Sequence, residues 1–157
     1  MSILSIIIIS HNQRSELKRC VDSVLAQKIP FEYEIILSDD RSTDGSFELA
    51  QEYAQQYHDL IQSYQCDSNL CNPAMTSERA GYNRINALKH ARGKYLIHVD
   101  GDDFYIGDSV FAKQVELLEN NPSCTICCQN YSIMYEKNNF QHKEMVYDKN
   151  LFEYGKQ

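Results

Sequence analysis

The sequence predicts an α/β fold: a mostly parallel sheet with helices on both faces. Three observations carry this. Short apolar, β-branched runs alternate with longer runs whose apolar residues recur at helical spacing. Turn-forming clusters separate the two kinds. The order is strand-helix, repeated, and a helix between consecutive strands returns the chain to lay them parallel.

The elements follow in order. "LSIIII" (Leu4–Ile9) is apolar on both faces, as a strand buried on both sides requires. "SELKRCVDSVLAQ" places Leu17, Cys20, Val21, Val24 and Leu25 on one helical face, and Pro30 marks the exit. "YEIILS" is the second strand, ending at Asp39-Asp40, and "DRSTDGS" is turn chemistry. "SFELAQEYAQQY" is the second helix, with Phe47, Ala50, Ala54 and Tyr57 on its expected inner face. "LIQSYQ" is a weaker third strand. "CDSNLCNPAMTSERAG" reads as a long polar loop. "YNRINALKHA" is the third helix, stopped by Gly93, and "KYLIHV" is the fourth strand. "SVFAKQVELLENN" is a fourth helix closed before Pro122, and "TICCQNYSIMY" is a fifth strand. From Glu136 onward no period is visible.

The totals set bounds. The 157 residues fit one domain with a real core. A net charge of −7 argues against nucleic acid as a partner, because phosphate-backbone binding leaves a basic footprint. The run "ILSIIII" is far shorter than the roughly 20 residues of a transmembrane helix and lacks a signal peptide's flanks. The expectation is a protein without a transmembrane segment, cytoplasmic, with the inner face of a membrane as the alternative place. The six cysteines read as reduced thiols. "CTIC" has no second pair or histidine at zinc-finger distance, and Cys66 and Cys71 in the polar loop are the pair with some prospect of oxidation.

Ligands of an open α/β sheet bind beyond the carboxyl ends of its strands, and the unusual residues here fall at three of those ends. Strand one ends at "SHN", strand two at "SDDRSTDGS", strand four at "DGDD". Asp100 and Asp102 form a D-x-D pair, the number of carboxylates with which Mg²⁺ typically binds alongside substrate phosphates. Gly101 between them leaves room for close approach to the backbone. The plainer alternative is a solvated acidic turn. Asp39 or Asp40 could accept a hydrogen bond from a ligand N–H, whereas Asp44 suits capping of the next helix. His98 reads as packed or hydrogen-bonded, His90 as favourable near a helix C-terminus, and His58 as a loop residue.

Taken together, "LSIIIISHNQRSELKRCVDSVLAQ", "YEIILSDDRSTDGS" and "GYNRINALKHARGKYLIHVDGDDFY" resemble, in order and spacing, the family 2 glycosyltransferases. The resemblance runs from about Leu4 to about Tyr135. It implies the GT-A (Rossmann-like) fold of the nucleotide-diphospho-sugar transferases. Residues 1–157 would be one nucleotide-sugar-binding domain, truncated at the C-terminus, with about 136–157 an irregular tail leading into a missing acceptor-binding part. The implied activity is inverting transfer of a sugar from a UDP-sugar to a saccharide or lipid-linked acceptor, in polysaccharide or glycoconjugate synthesis, with Mg²⁺ or Mn²⁺ as cofactor. By the resemblance, Asp40 bonds the uracil N–H, and Ile9 and His11 line the base. Arg84 lies near the diphosphate, Asp100 near the ribose with Gly101 beside it, and Asp102 is a metal ligand with Asp100. His11 departs from the tyrosine the family more often has. No catalytic base stands out: it is expected outside the chain, with Asp103 the candidate within it and Glu136 and Glu144 unmarked by any spacing. The rival readings are a nucleotide-sugar-binding module that transfers nothing and a nucleotidyltransferase. The second would be expected to carry a glycine-rich loop after strand one, where "SHNQRSEL" has no glycine.

Overall fold

The computed structural model describes residues 3–66 and 78–129, and the backbone of two short strands at 132–133 and 143–144. The element order is β1 (Leu4–Ser10), α1 (Arg14–Leu25), β2 (Tyr33–Asp39), α2 (Ser46–Gln56), β3 (Ile61–Gln65), α3 (Arg79–Leu88), β4 (Tyr95–Asp100), α4 (Val110–Asn120), β5 (Ser132–Ile133) and β6 (Lys143–Glu144). The chain divides into two compact units, Met1–Glu116 and Leu117–Gln157.

The first unit holds a four-stranded sheet in the order β3-β2-β1-β4. Every pairing in it is parallel. Strand β1 runs between two neighbours, and all seven of its residues are buried. That double cover is why its sequence does not alternate apolar with polar. Leu4, Ile6 and Ile8 face a core completed by Leu17, Cys20, Val21 and Val24 of α1, Leu49, Ala50 and Tyr53 of α2, and Phe111 and Val115 of α4. Ile7 points the other way and packs with Ile36 and with Ala87 of α3. Helices therefore cover both faces, as the alternating sequence pattern implies.

The inner face of α2 differs from the expected one. Leu49, Ala50 and Tyr53 are its buried large residues, whereas Phe47 and Ala54 are only half buried. Tyr53 explains the rotation: its ring packs in the core while its hydroxyl donates to Asp22 Oδ1 at the surface of α1. Helix α3 starts at Arg79, not Tyr82, so the last residues of the supposed loop are helical. It ends at Leu88, so Gly93 is not its stop. Gly93 instead lets the chain pass β1, since a Cβ there would sit 2.5 Å from the Ser5 amide nitrogen. The Ser5 hydroxyl accepts from the Gly93 and Arg92 amides and donates to the buried Glu34 carboxylate.

The second unit, taken by itself, corrects the fifth strand. Residues 124–129 form no strand, and Ile126 is 77% exposed. Among the described residues of this unit, Ser132–Ile133 pair with Lys143–Glu144, antiparallel. Cys71, residues 67–77, Tyr135 and most of the tail from Glu136, that glutamate included, lie outside the described residues. Among the described residues Cys20, Cys124, Cys127 and Cys128 are free thiols. No described helix is long and apolar enough to cross a membrane.

Two glycines make a paired test of this packing. Gly93→Ala should lower stability by about 1–3 kcal/mol, because the new methyl meets backbone that cannot step aside. Gly81→Ala, inside α3 with nothing within 4 Å of the added carbon, should raise it by about 0.4–1 kcal/mol. Urea denaturation of the two variants checks both signs.

Candidate functional site

The carboxyl ends of β1, β2 and β4 meet because the strands are parallel and in register. Ile9 pairs with Ser38 on one side and with Asp100 on the other. Strand order reverses across β1, with β2 to one side and β4 to the other, so a crevice opens there. It is a cavity of about 590 Å³ lined by Ile9, Ser10, His11 and Gln13 from the first strand end, Asp40 from the second and Asp100–Asp102 from the fourth, with Arg79, Ala80, Asn83 and Arg84 of α3 forming a wall. All seven residues expected to bind the nucleotide-sugar or metal, Ile9, His11, Asp40, Arg84, Asp100, Gly101 and Asp102, thus lie on one cavity. Asp103 follows on the same turn but is not among the lining residues.

The first two loops are welded to each other. Asp39 points inward and accepts from the Ser42 amide, the Ser42 hydroxyl and the Ser10 hydroxyl, which makes it a brace for its own turn. Asn12, in the left-handed region at φ 52°, accepts from the Thr43 amide and donates its own amide to Ser42 Oγ. Asp44 does more than cap the next helix. Its carboxylate accepts from the Ser46 amide and hydroxyl on its own side and from the Arg14 amide at the start of α1. Burial alone would raise the Asp44 pKa, but the Ser46 hydroxyl and these amides outweigh it and hold it below 3.8. The N-terminus of α1 is occupied in this way by protein groups.

Asp40 is set up differently. It is only 3% exposed, yet only one of its carboxylate oxygens is hydrogen-bonded. Oδ2 accepts from Arg79 Nε at 2.8 Å. Oδ1 lies 3.6 Å from Arg41 Nε, close enough for charge attraction but too long for a hydrogen bond, and has no hydrogen-bond partner among the described residues. Arg41 holds a left-handed φ of 53° beside it. Asp40 thus lies on the cavity lining with one buried carboxylate oxygen whose accepting capacity is unmet among the described residues, the Arg41 Nε being buried and unmet beside it. His11 Nδ1 lies 2.8 Å from the Asp40 carbonyl oxygen, which can only accept, so Nδ1 carries the proton. Nε2 is then the acceptor for the Asn12 side-chain amide at 3.2 Å. The ring is pinned along one edge with its face left to the crevice.

Asn83 ties α3 to the strand ends. It is buried, accepts from Ser38 Oγ at 2.6 Å and donates to the carbonyls of Ser38 and Ser10. The next residue reaches the fourth strand: Arg84 Nη2 donates to Asp100 Oδ1 at 2.9 Å and Nε donates to His98 Nε2 at 2.8 Å. His98 is therefore hydrogen-bonded, as expected. Partial burial lowers its pKa, the Asp100 carboxylate pulls it up, and the Arg84 cation lowers it further.

The acidic turn is wedged against β1. The Gly101 amide donates to the Ile9 carbonyl at 2.8 Å, and a Cβ on Gly101 would sit 2.7 Å from that oxygen. The close approach that needs this glycine is by β1 itself. Beneath the turn, Cys20 donates to the Asp100 carbonyl, and its thiol is pushed up to about 12 by burial and by Asp103, Asp102 and Asp100. Asp103 is itself raised above 3.8, first by burial and then by its two acidic neighbours. The chain leaving the turn is tethered to α1: Tyr105 N donates to Ser23 Oγ, Gln27 Nε2 to the Gly107 carbonyl, and Val110 N to Gln27 Oε1.

No group of three or more His, Cys, Asp or Glu converges into a metal cage among the described residues. The donor set nevertheless fits a hard divalent cation that keeps substrate phosphates among its ligands. Asp100 and Asp102 offer carboxylate oxygens at the cavity wall, and the mutual repulsion that raises Asp103 is what a cation would relieve.

Sequence reasoning missed Arg79 and Asn83. Arg79 had been assigned to the long polar loop, although Arg79 and Asn83 at i and i+4 are neighbours on one helical face.

Comparison with known proteins agrees with this geometry. Residues 5–157 match the profile described as Glycosyl transferase family 2. Poly(ribitol-phosphate) beta-glucosyltransferase of Bacillus spizizenii is 32% identical over 121 residues, covering 76% of this chain and 18% of that protein. The solved structure of S. aureus TarS 1-349 in complex with UDP-GlcNAc superposes with a TM-score of 0.62 at 25% identity, over 78% of this chain and 32% of that one. A mannosyltransferase of Pyrobaculum calidifontis, solved with GDP-Man and Mn²⁺, shares the fold at TM-score 0.62 and 20% identity, over 74% and 32%. The chain spans about a third of the length of the curated relatives it matches, 36% for three mycobacterial proteins.

The Asp44 clamp is testable without any ligand. Asp44→Ala should cost about 0.5–2 kcal/mol at neutral pH, the usual worth of a helix cap. A lowered folded pKa means the stabilisation is present above 3.8 and lost as pH falls through the folded value. The gap between wild type and variant should therefore close on acidification below 3.8, as followed by thermal melts across pH.

Proposed function

The chain belongs to glycosyl transferase family 2, and on that premise we propose that it binds a UDP-sugar in the cavity at the β1, β2 and β4 ends and serves inverting transfer of the sugar to an acceptor hydroxyl. The observation that supports this most is the buried, donor-seeking Oδ1 of Asp40 beside the His11 face. A uracil N–H is a donor of the right kind, and the ring would lie between Ile9 and His11. Arg79 holds the carboxylate in place and keeps it an acceptor. The likeness to TarS with UDP-GlcNAc favours a UDP-hexose donor.

From the base, the donor would run along the α3 wall toward the acidic turn. Asp100 would take ribose hydroxyls, and Arg84 would lie against the diphosphate. In the transfer, the bond from the anomeric carbon to the β-phosphate oxygen breaks while the acceptor oxygen bonds the opposite face of that carbon. The hydroxyl proton goes to a base and UDP departs with the bonding electrons. Arg84 would offset the charge gathering on the leaving diphosphate. Asp100 and Asp102 would hold Mg²⁺ or Mn²⁺, which supplies Lewis-acid neutralisation of that charge when bound. Asp103, with its raised pKa, is the carboxyl on this turn best suited to carry a proton, but it stands off the cavity lining. Assignment to polysaccharide or glycoconjugate synthesis rests on the named relatives.

Isothermal calorimetry tests the base site. Asp40→Ala should weaken UDP binding by about 1–3 kcal/mol, the cost of losing a charged hydrogen-bond partner. GDP or ADP binding the wild type as well as UDP does would overturn the uracil assignment.

The metal reading has its own check. UDP affinity should rise when Mn²⁺ replaces EDTA, and Asp102→Asn should remove the rise. Equal affinity in EDTA and Mn²⁺ would remove the metal from this site.

A further inference from the structure

We propose that His98 is a positioning residue: it holds the Arg84 guanidinium in an orientation that leaves one edge for the donor diphosphate, an inference that rests on the donor-site reading above. His98 and Asp100 stand two residues apart on β4 and so share one face of the sheet, the face that α3 overhangs. Arg84 reaches down from α3 onto both. Its Nε donates to His98 Nε2 at 2.8 Å and its Nη2 to Asp100 Oδ1 at 2.9 Å. A guanidinium only donates, so His98 Nε2 is the lone-pair nitrogen of the pair. The two acceptors consume the Nε/Nη2 fork of the guanidinium. Among the described residues Nη1 makes no hydrogen bond, and it is left on the other edge.

The acceptor on His98 matters because of what the fork would otherwise do. Arginine and carboxylate prefer a bidentate pair, with Nε and Nη2 on the two carboxylate oxygens. Such a pair would take both oxygens of Asp100 and fold Arg84 flat onto β4. With Nε engaged by His98, the pairing to Asp100 is single, through Oδ1. Asp100 keeps its second oxygen for a ligand, and Arg84 is held without being spent. The Arg84 side chain is 39% exposed, and these two bonds orient its polar end.

The test uses this chain with UDP and uridine as probes. Calorimetry and chemical-shift titration compare wild type, His98→Leu, His98→Gln, Arg84→Gln and the His98→Leu/Arg84→Gln double variant. If His98 acts through Arg84 on the diphosphate, His98→Leu should weaken UDP about tenfold, near the worth of one charge-assisted hydrogen bond, and weaken uridine far less, since uridine has no diphosphate and loses only what Arg84 takes from the Asp100 contact to its ribose. His98→Gln, whose side-chain oxygen can accept from Nε, should restore most of the loss. In the Arg84→Gln background His98→Leu should cost nothing further. Equal loss for UDP and uridine, or full additivity of the two substitutions, would overturn the positioning role in favour of plain packing. Wild-type affinity for UDP in His98→Leu would overturn it as well. A wild type that binds neither UDP nor uridine would instead bring down the donor-site reading on which it rests.

Discussion

Everything at the site depends on the parallel pairing of β1 with a neighbour on each side. All seven residues of β1 are buried, so its register is held by packing on both faces as well as by hydrogen bonds along both edges. A slip of one residue would turn Ile6 and Ile8 out of one core and Ile7 out of the other. That constraint fixes Ile9 between Ser38 and Asp100, and with it the meeting of three strand ends. The loops can then be short, and each is braced by its neighbour: Asp44 by the start of α1, Asn12 by Thr43, Gly101 by the Ile9 carbonyl.

Much of this was legible because parallel α/β sheets write themselves plainly. Runs buried on both faces are uniformly apolar, and the strand ends that carry ligands are where aspartates interrupt them. The four strands and the helices between them follow from that rule, as do Asp40, Asp100 and Asp102, whereas Ile9, His11 and Arg84 came from the family resemblance. The misreadings share a different cause. Gly93 was read as a helix stop, yet it is required by Ser5 across the sheet. The face of α2 was taken from apolar spacing alone, while Tyr53, amphipathic at its hydroxyl, anchors it one position round. The strand expected from Thr125 had the composition of one, but Thr125–Gln129 form none, and Ile126 is exposed. The first two are settled by distant residues and not by local sequence.

The electrostatics of the site resolve into two halves with opposite logic. Around Asp40 the protein supplies positive charge in excess: Arg79 bonds one oxygen, and Arg41 approaches the other without bonding it. Around the acidic turn it supplies too little. Arg84 bonds Asp100, while burial first and the clustered carboxylates second raise the pKa of Asp103 and of the Cys20 thiol below. A ligand that is neutral and donor-bearing at one end suits the first half. One that brings a cation to the second suits the other. A nucleoside diphosphate with its metal has that polarity along its length.

The same contrast explains why the two arginines on α3 are not equivalent despite standing five residues apart. Arg79 closes on a carboxylate that is almost wholly buried, where removing a partner leaves a charge uncompensated. Its bond is structural before it is functional, since removing Arg79 would leave the buried carboxylate without its hydrogen-bonded partner. Arg84 meets a half-exposed carboxylate that water could solvate in its absence. Its bond to Asp100 is therefore weak enough to be shared, first with His98 and then with whatever enters the cavity. One side of the α3 wall is tied to a buried carboxylate; the other meets a carboxylate that water and ligands can still reach.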